Sequence, residues 1–335
     1  MLTEAKRAKL NQFTAAFIEY PILTTIISDF ETLRSYYDLT GEKPCMVLCG
    51  DAGCGKSAVI EHYYQRNLPH FSDGRRKVPV LLSRISDSPS IESTLKLLLH
   101  DLGQFGAKIG KRLKNNDDIA LTESLIEQLK LSGTELIIID DFQRLVNCSL
   151  GRRCREIAHK LKYINERAGI SIVLVGMPSI VQLVSEPQWS SRILIRRFIP
   201  YFKLSEDPKS FIRLLMGLAN RLPFTEKPNF AQEEIALALF AISSGSFREL
   251  KNFLNLALQN ALKDGSRTFE RQYLSCAFST LWPELPNVFE MKANEIKGCE
   301  VEQYSTFKPD GPHDEDPFID TQFCKKVPLV QLLKK

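Results

Sequence analysis

The eight residues from Gly50 to Ser57 have the spacing G-x-x-x-x-G-K-S, which is typical of a loop that binds phosphate groups. Its glycines let backbone N–H groups turn inward around phosphate oxygens, Lys56 neutralises phosphate charge, and Ser57 offers its hydroxyl to Mg²⁺. The following helix adds the positive end of its dipole to the same site. The residues expected to contact the nucleotide here are Gly50, Asp51, Ala52, Gly53, Cys54, Gly55, Lys56, Ser57 and Ala58.

Two carboxylates, Asp140 and Asp141, follow a second apolar run, Leu136-Ile-Ile-Ile. At the end of a buried strand they are expected to lie in the crevice beside the phosphate loop. Asp140 would then hold Mg²⁺ through water, and Asp141 would orient or deprotonate the water that attacks ATP. Many ATPases carry Glu where this chain has Asp141, and the shorter side chain predicts slow hydrolysis. Taken alone, the pair is equally consistent with a solvated strand end.

Arg192, Arg196 and Arg197 precede or lie within the stretch leading to Phe198. Cations in this position commonly project toward the nucleotide of a neighbouring copy as arginine fingers. Arg192 is the favoured catalytic candidate because its Ser-Ser-Arg setting is least like a helix surface. A solvated basic face is the alternative interpretation for all three.

Two candidates for sensing the γ-phosphate come from other elements. Arg248, in Gly245-Ser-Phe-Arg248, opens a predicted helix and is expected to reach back to the phosphates. Ser179, in Gly-Met-Pro-Ser after the apolar run that ends at Gly176, is a weaker candidate.

The elements that must position these residues alternate between apolar runs and helical patterns, which predicts an α/β fold with a parallel sheet covered on both faces. Two helices broken near Pro21 come first, and amphipathic stretches after Asp207 predict a small all-helical lid domain. The predicted strands are Cys45–Cys49, Val78–Ser83, Leu136–Asp140, Ile170–Gly176 and Phe198–Leu204. The predicted divisions are an N-terminal helical appendage (1–40), a nucleotide-binding domain (41–205), a helical lid (206–283) and a flexible tail (284–335) that ends in a short docking segment.

Bulk composition excludes several classes of protein. Hydrophobic residues make up 44% and charged residues 25% of the 335 residues, as in ordinary globular proteins. No apolar run approaches the roughly 20 residues of a membrane helix, and no signal peptide is recognisable, so we expect a cytoplasmic protein with no membrane partner. The eight cysteines form no CxxC pair, which argues against zinc and disulfide frameworks. A net charge of +4 does not by itself indicate nucleic acid.

Taken together, these motifs resemble the TniB/TnsC family of AAA+ transposition regulators over about residues 15–280. The telling parts are the phosphate loop, Ile139-Asp-Asp-Phe-Gln143, Leu174-Val-Gly-Met-Pro178, the Ser-Arg stretch before Phe198, and Gly245 to Leu250. The resemblance implies an AAA+ P-loop NTPase fold with ATP and Mg²⁺ as cofactors. Asp141 and the chain after about residue 285 depart from the family pattern.

The resemblance also implies partners. Family members polymerise with ATP into rings or helical filaments on double-stranded DNA, and they link a target-selection protein to the transposase subunits. The compact length is similar to that of relatives serving CRISPR-associated transposons. The stretch 104–114 contains four cations and no acid, and in family members the matching stretch lines the central pore. The DNA-binding candidates are Lys108, Lys111, Arg112 and Lys114, with a solvated basic face as the alternative.

Two other functions use the same phosphate loop. A generic AAA+ loader or ATP-gated switch outside transposition would share the fold and site but differ in partners. A small-molecule kinase would leave the helical lid, Arg192 and the Gly245–Leu250 motif unexplained.

Overall fold

A five-stranded parallel sheet forms the centre of the computed structural model, which describes residues 3–36, 43–103, 118–145, 151–185, 187–307 and 318–334. The strand order is β4-β5-β6-β1-β7. Its strands are β1 (Cys45–Cys49), β4 (Val80–Arg84), β5 (Leu136–Asp140), β6 (Ser171–Gly176) and β7 (Ile193–Phe198). A short hairpin, β2 (His70–Ser72) and β3 (Arg75–Lys77), precedes β4. The predicted α/β fold with a parallel sheet is confirmed.

Helices cover both faces of this sheet, as the alternating pattern predicts. They are α2 (Pro21–Ser35), α3 (Lys56–Gln65), α4 (Ile91–Asp101), α5 (Asp118–Leu131), α6 (Gly151–Ala168), α7 (Ile180–Val184) and α8 (Pro187–Ser190). The first helix, α1 (Glu4–Thr14), packs on the later helix Phe247–Asp264 instead. Successive residues of β1 point to opposite faces: Met46 and Leu48 enter one hydrophobic cluster, and Cys45, Val47 and Cys49 the other. The break predicted near Pro21 is present, because α2 begins at that proline, where its fixed φ is tolerated.

The last strand differs from the prediction. The run Phe198–Leu204 was expected to be a strand, whereas the strand is Ile193–Phe198 and pairs with β1. Arg196 and Arg197 interrupt its apolar pattern because β7 is an edge strand with a solvent-facing side, and this obscured it in the sequence. Residues 199–204 instead carry the chain from the sheet to the helical region.

Four helices follow the sheet: α9 (Pro208–Arg221), α10 (Glu233–Ser243), α11 (Phe247–Asp264) and α12 (Arg271–Leu281). Asp207 caps α9 and Ser246 caps α11, each accepting a backbone N–H with its side chain. Gly245, between α10 and α11, has φ +82°, and an added Cβ would lie 2.1 Å from the carbonyl oxygen of Phe202. Only glycine therefore fits where the helical region meets the end of the sheet. The predicted boundary near residue 206, between the nucleotide-binding domain and the helical lid, stays a prediction.

The segment after Trp282 is not the flexible tail that we expected. Residues 284–307 and 318–334, called the C-terminal segment below, form short strand pairs and bury side chains against the helical region. Phe289 stacks on Phe253 with ring centroids 5.4 Å apart. Its other buried apolar side chains are Ile296, Val301, Leu329 and Leu332. These apolar residues are far apart in the sequence, so the polar run between them dominated the prediction. In the described part of the chain, no helix is both long and apolar enough to span a bilayer.

Candidate functional site

The phosphate loop joins the buried strand β1 to helix α3 at the carboxyl edge of the sheet. Gly53 and Gly55 have φ of +84° and +109°, a region that side-chain-bearing residues rarely adopt. A Cβ on Gly50 would lie 2.6 Å from the carbonyl oxygen of Ile199, so this position also requires glycine. These constraints account for the three glycines of the motif and give the loop the turn that directs N–H groups to a common centre.

Lys56, the first residue of α3, folds back over the loop. Its Nζ donates to the carbonyl oxygens of Gly50 at 2.6 Å and Asp51 at 2.9 Å. The ammonium group is thus held above the loop by contacts with its backbone. This arrangement places one positive charge beside the N terminus of α3, where the helix dipole also favours an anion.

Ser57 and Asp140 meet across the crevice between the phosphate loop and β5. The Ser57 hydroxyl donates to the Asp140 carboxylate at 3.3 Å, and the backbone N–H of Asp141 donates to the same carboxylate at 2.8 Å. Burial raises the pKa of Asp140 above its ordinary value, partly offset by these hydrogen bonds. The predicted metal pair is therefore together in space.

The donor set fits a magnesium ion of the kind found with bound nucleotides. Over the described ranges, no three His, Cys, Asp or Glu side chains are grouped to hold a metal by themselves. Mg²⁺ usually keeps several waters and takes only one or two protein oxygens together with substrate phosphates. A hydroxyl and a carboxylate beside a phosphate loop are sufficient for that coordination.

Asp141 lies directly after β5 in a left-handed conformation, with φ +57°. Its carboxylate accepts a hydrogen bond from Gln143 Nε2 at 3.1 Å and forms an ion pair with Arg144 at 3.1 Å. Arg144 also donates to the carbonyl oxygen of Ile85 at 3.0 Å. The two neighbours fix the direction of the Asp141 carboxylate, a role that sequence reasoning did not assign to them.

Gln143 also connects the acid pair to the end of β6. Its Oε1 accepts the backbone N–H of Met177 at 3.2 Å, and a Cβ on Gly176 would lie 2.6 Å from this oxygen. The predicted sensor Ser179 is instead buried, with no hydrogen-bond partner for its hydroxyl among the described residues. Gln143 is therefore the side chain that bridges the two strand ends. Its position two residues after Asp141 was the only sequence signal.

Arg248 lies on the first turn of α11, against the phosphate loop. Its backbone N–H donates to the carbonyl oxygen of Gly53 at 3.0 Å, and an added Cβ on Gly53 would lie 3.0 Å from the Arg248 Cβ. Phe247, Arg248 and Lys251 line a groove together with Gly55–Ala58. Lys251 donates to the carbonyl oxygen of Ala16 at 2.9 Å, and burial lowers its pKa. The groove thus contains three cationic side chains, those of Lys56, Arg248 and Lys251.

The other predicted arginines lie elsewhere. Arg192 lies at the amino end of β7, whereas the phosphate loop lies at the carboxyl ends of the strands. Its side chain is 13% exposed and forms an ion pair with Glu166 at 2.7 Å. Arg197 forms a two-point ion pair with Asp29 of α2, at 2.6 and 3.0 Å, which raises its pKa. Arg196 is exposed on β7. Of the three, Arg192 is thus at the end of the strand away from the phosphate loop of its own chain.

Asp51 was expected to contact the nucleotide, but its side chain has other partners. Asp51 is 1% exposed, and its carboxylate accepts hydrogen bonds from Ser305 and Thr321 of the C-terminal segment. The structure thus adds two residues to the surroundings of the loop that were not predicted. The four DNA-binding candidates, Lys108, Lys111, Arg112 and Lys114, lie outside the described residues.

The architecture is shared with solved structures of ORC and Cdc6 proteins. The ORC2 protein of Aeropyrum pernix, in ADPNP–ADP complexes, matches with a TM-score of 0.58 at 16% identity, covering 80% of this chain and 71% of that one. Drosophila ORC bound to DNA matches with a TM-score of 0.52 at 13% identity, covering 83% and 66%. Cdc6p from Pyrobaculum aerophilum matches with a TM-score of 0.51 at 14% identity, covering 82% and 74%. At these identities the likeness establishes the AAA+ fold alone.

Family membership follows from the sequence match. No curated protein matches the chain significantly. The family model of the bacterial TniB protein matches residues 10–202, a stretch that contains the phosphate loop, the acid pair and Arg192. Because this match spans more than half of the 335 residues, the chain belongs to the bacterial TniB family of AAA+ ATPases.

Proposed function

We propose that this protein is an ATP-dependent regulator of DNA transposition that oligomerises on duplex DNA and bridges a target-selection protein to transposase subunits. One observation carries the proposal: in a TniB family chain, the phosphate loop, the Ser57–Asp140 pair and Arg248 converge on one edge of the sheet. Convergence of an anion-binding loop, a metal pair and a lid cation is the arrangement that nucleotide hydrolysis requires.

Each side chain has a definite task in this proposal. Lys56 and the loop N–H groups bind the phosphates, and Ser57 with Asp140 would hold Mg²⁺, which supplies positive charge against the transferring phosphoryl group. Asp141, directed by Gln143 and Arg144, orients the attacking water and accepts its proton. The short reach of Asp141 keeps hydrolysis slow, so a turnover on the order of hundreds per second would contradict this assignment.

Assembly enters through Arg192. Because this residue lies at the amino end of β7, and its own phosphate loop lies at the carboxyl ends of the strands, it can complete a nucleotide site only on a neighbouring copy. To do so it must leave Glu166, its ion-pair partner in the single chain. We propose Arg192 as the finger in preference to Arg197, whose Nε and Nη2 both donate to the Asp29 carboxylate.

Duplex DNA is the proposed scaffold for the assembly. Drosophila ORC and the ORC1 protein of Aeropyrum pernix, which share the fold, are described as bound to DNA. In this chain the proposed contact is the basic stretch with Lys108, Lys111, Arg112 and Lys114, whose cations would replace condensed counterions.

A loader or ATP-gated switch outside transposition is the second candidate, and the likeness to an ORC protein in ADPNP–ADP complexes is consistent with a nucleotide-dependent switch. It predicts the same site chemistry but other partners. The neighbouring genes discriminate the two: transposase genes are expected beside this one only under the first proposal. CRISPR effector genes in the same neighbourhood would identify RNA-guided target selection.

The Lys56→Ala variant is expected to lose both nucleotide binding and ATP-dependent assembly. Removing a charge that contacts the phosphates should weaken ATP binding by at least about 30-fold. Size-exclusion chromatography and electron microscopy with ATP and duplex DNA measure the outcome, with Lys96→Ala as a control on an exposed helix position. A wild-type protein that stays monomeric under all these conditions would contradict the proposal.

Asp140→Asn is expected to reduce hydrolysis by about 100-fold, the usual effect of losing one key electrostatic group. It should also raise the thermal stability of the nucleotide-free protein at neutral pH. The folded pKa of Asp140 is raised, so wild-type stability falls as pH rises through that pKa, and the advantage of Asn disappears below the ordinary carboxyl pKa of about 4.

Thermal unfolding between acid and neutral pH tests this second effect. Glu226→Gln, at an exposed position, serves as the control and should change neither activity nor the pH dependence. An Asp140→Asn variant that is less stable than the wild type at neutral pH would contradict the desolvation argument.

Arg192→Ala should bind ATP normally yet hydrolyse it about 1,000-fold more slowly, as expected for loss of an arginine finger. Mixing it with Asp141→Asn is the decisive measurement. Asp141→Asn copies supply Arg192 to sites that retain Asp141, so the mixture should hydrolyse ATP although neither variant does so alone. A mixture as inactive as its components would show that Arg192 does not act on a neighbour.

Replacing Lys108, Lys111, Arg112 and Lys114 with Ala should lower the salt dependence of DNA binding. Each lost phosphate contact reduces the slope of log K against log salt by about 0.9, so the slope should fall by about 3 to 4. Fluorescence anisotropy with a labelled duplex over a salt series gives the slope. A control variant removes four exposed lysines elsewhere, Lys9, Lys96, Lys130 and Lys292. Equal slopes in the two variants would mean that the stretch is only a solvated face.

A further inference from the structure

The outer side of the phosphate loop is held by residues more than 250 positions away in the chain. The buried carboxylate of Asp51 accepts the backbone N–H of Ser305 at 3.2 Å and also the hydroxyl of Ser305. The hydroxyl of Thr321 donates to the same carboxylate at 2.5 Å. Three donors from two separate parts of the C-terminal segment therefore converge on one side chain of the loop.

The next loop residue is fixed through an aromatic intermediary. The hydroxyl of Tyr201 donates to the carbonyl oxygen of Ala52 at 2.6 Å. Tyr304 and Phe323 of the C-terminal segment pack on the Tyr201 ring, each with ring centroids 6.2 Å from it. Burial raises the pKa of Tyr201 to about 12, so its hydroxyl remains a donor at neutral pH. Asp51 and Ala52 thus both depend on the same segment.

The segment is itself anchored where the sheet leads into the helical region. Glu300 is 7% exposed, and its carboxylate accepts the backbone N–H of Ser205 at 3.0 Å and the Ser205 hydroxyl at 2.5 Å. Gly298, two residues before Glu300, packs against Leu329, and an added Cβ on this glycine would lie 2.9 Å from the leucine side chain. Because Glu300 and Leu329 anchor the C-terminal segment to the rest of the fold, its hydrogen bonds to Asp51 restrain the phosphate loop relative to α9–α12.

We propose that the C-terminal segment is a clamp that holds the phosphate loop ready for nucleotide, with Ser305 and Thr321 as positioning residues. This inference rests on the proposed ATP binding. Its physical basis is preorganisation: ordering a glycine-rich loop costs conformational entropy, and contacts that order it during folding remove that cost from the binding step. The clamp also orients the Asp51 carboxylate away from the phosphates, which carry the same sign of charge.

The clamp links nucleotide binding to the position of the segment. Any partner that draws the segment off Asp51 would weaken ATP binding, and by thermodynamic reciprocity ATP binding would favour the clamped arrangement to the same degree. The C-terminal segment is thus a route by which protein contacts and nucleotide state influence each other.

The test compares Ser305→Ala/Thr321→Val with the wild type in the full-length chain. Losing the two hydroxyl donors to Asp51 leaves the loop to be ordered when the nucleotide binds, so affinity for a fluorescent ATP analogue should fall by about tenfold or more. Ser305→Thr/Thr321→Ser keeps both hydroxyls and should restore the affinity. Glu302→Ala, at an exposed position in the same segment, is the matched control and should behave as the wild type.

Hydrogen exchange of the nucleotide-free proteins separates positioning from general damage. Faster exchange is expected for peptides covering residues 50–55 in Ser305→Ala/Thr321→Val, with α9–α12 unchanged. Wild-type affinity and exchange in this variant would overturn the clamp, and so would equal losses in Glu302→Ala or no recovery in Ser305→Thr/Thr321→Ser. A wild-type protein that binds no ATP analogue would instead overturn the proposed function itself.

Discussion

The whole arrangement depends on holding one glycine-rich backbone loop in a single conformation. Gly53 and Gly55 adopt positive φ without steric cost, but glycines lose more conformational freedom on folding than other residues, so contacts from outside the loop help to order it. Support comes from the buried strand before it, from α11 through the hydrogen bond between Arg248 and Gly53, and from the C-terminal segment through Asp51. The parallel sheet then brings Asp140, at the carboxyl end of β5, to the phosphate loop, where it meets Ser57. The two proposed magnesium ligands are therefore brought together by the direction of the strands.

Local and long-range features differed in how well the sequence predicted them. The phosphate loop and the acid pair each carry their context within about ten residues, an apolar run followed by the reactive groups, so their meeting follows from strand direction alone. The bonds from Ser305 and Thr321 to Asp51 carry no such local signal, since they join residues whose pairing depends on the whole fold. The position of β7 was missed for a similar reason. Its two arginines are compatible with a strand only because β7 lies at the edge of the sheet, and the strand order cannot be predicted from the local sequence.

The carboxylate after β5 shows how the choice of a short acid can be linked to the backbone conformation. Asp141 has φ +57°, a left-handed conformation that Asp and Asn adopt more readily than longer side chains because their short polar groups bond locally. Here that local bonding is with Gln143 and Arg144. The chain thus couples a short acid to a left-handed backbone conformation, and only the first of these properties could be predicted from the sequence.

The ion pair between Arg197 and Asp29 has a consequence for how copies of this chain can associate. It ties α2 to β7, and the exposed Arg196 lies next to it on the same edge strand. Charged side chains on an edge strand oppose the backbone pairing by which sheets of two molecules fuse. This edge of the sheet therefore resists β-sheet extension, and the assembly that we propose would use side-chain contacts at this edge instead of backbone pairing.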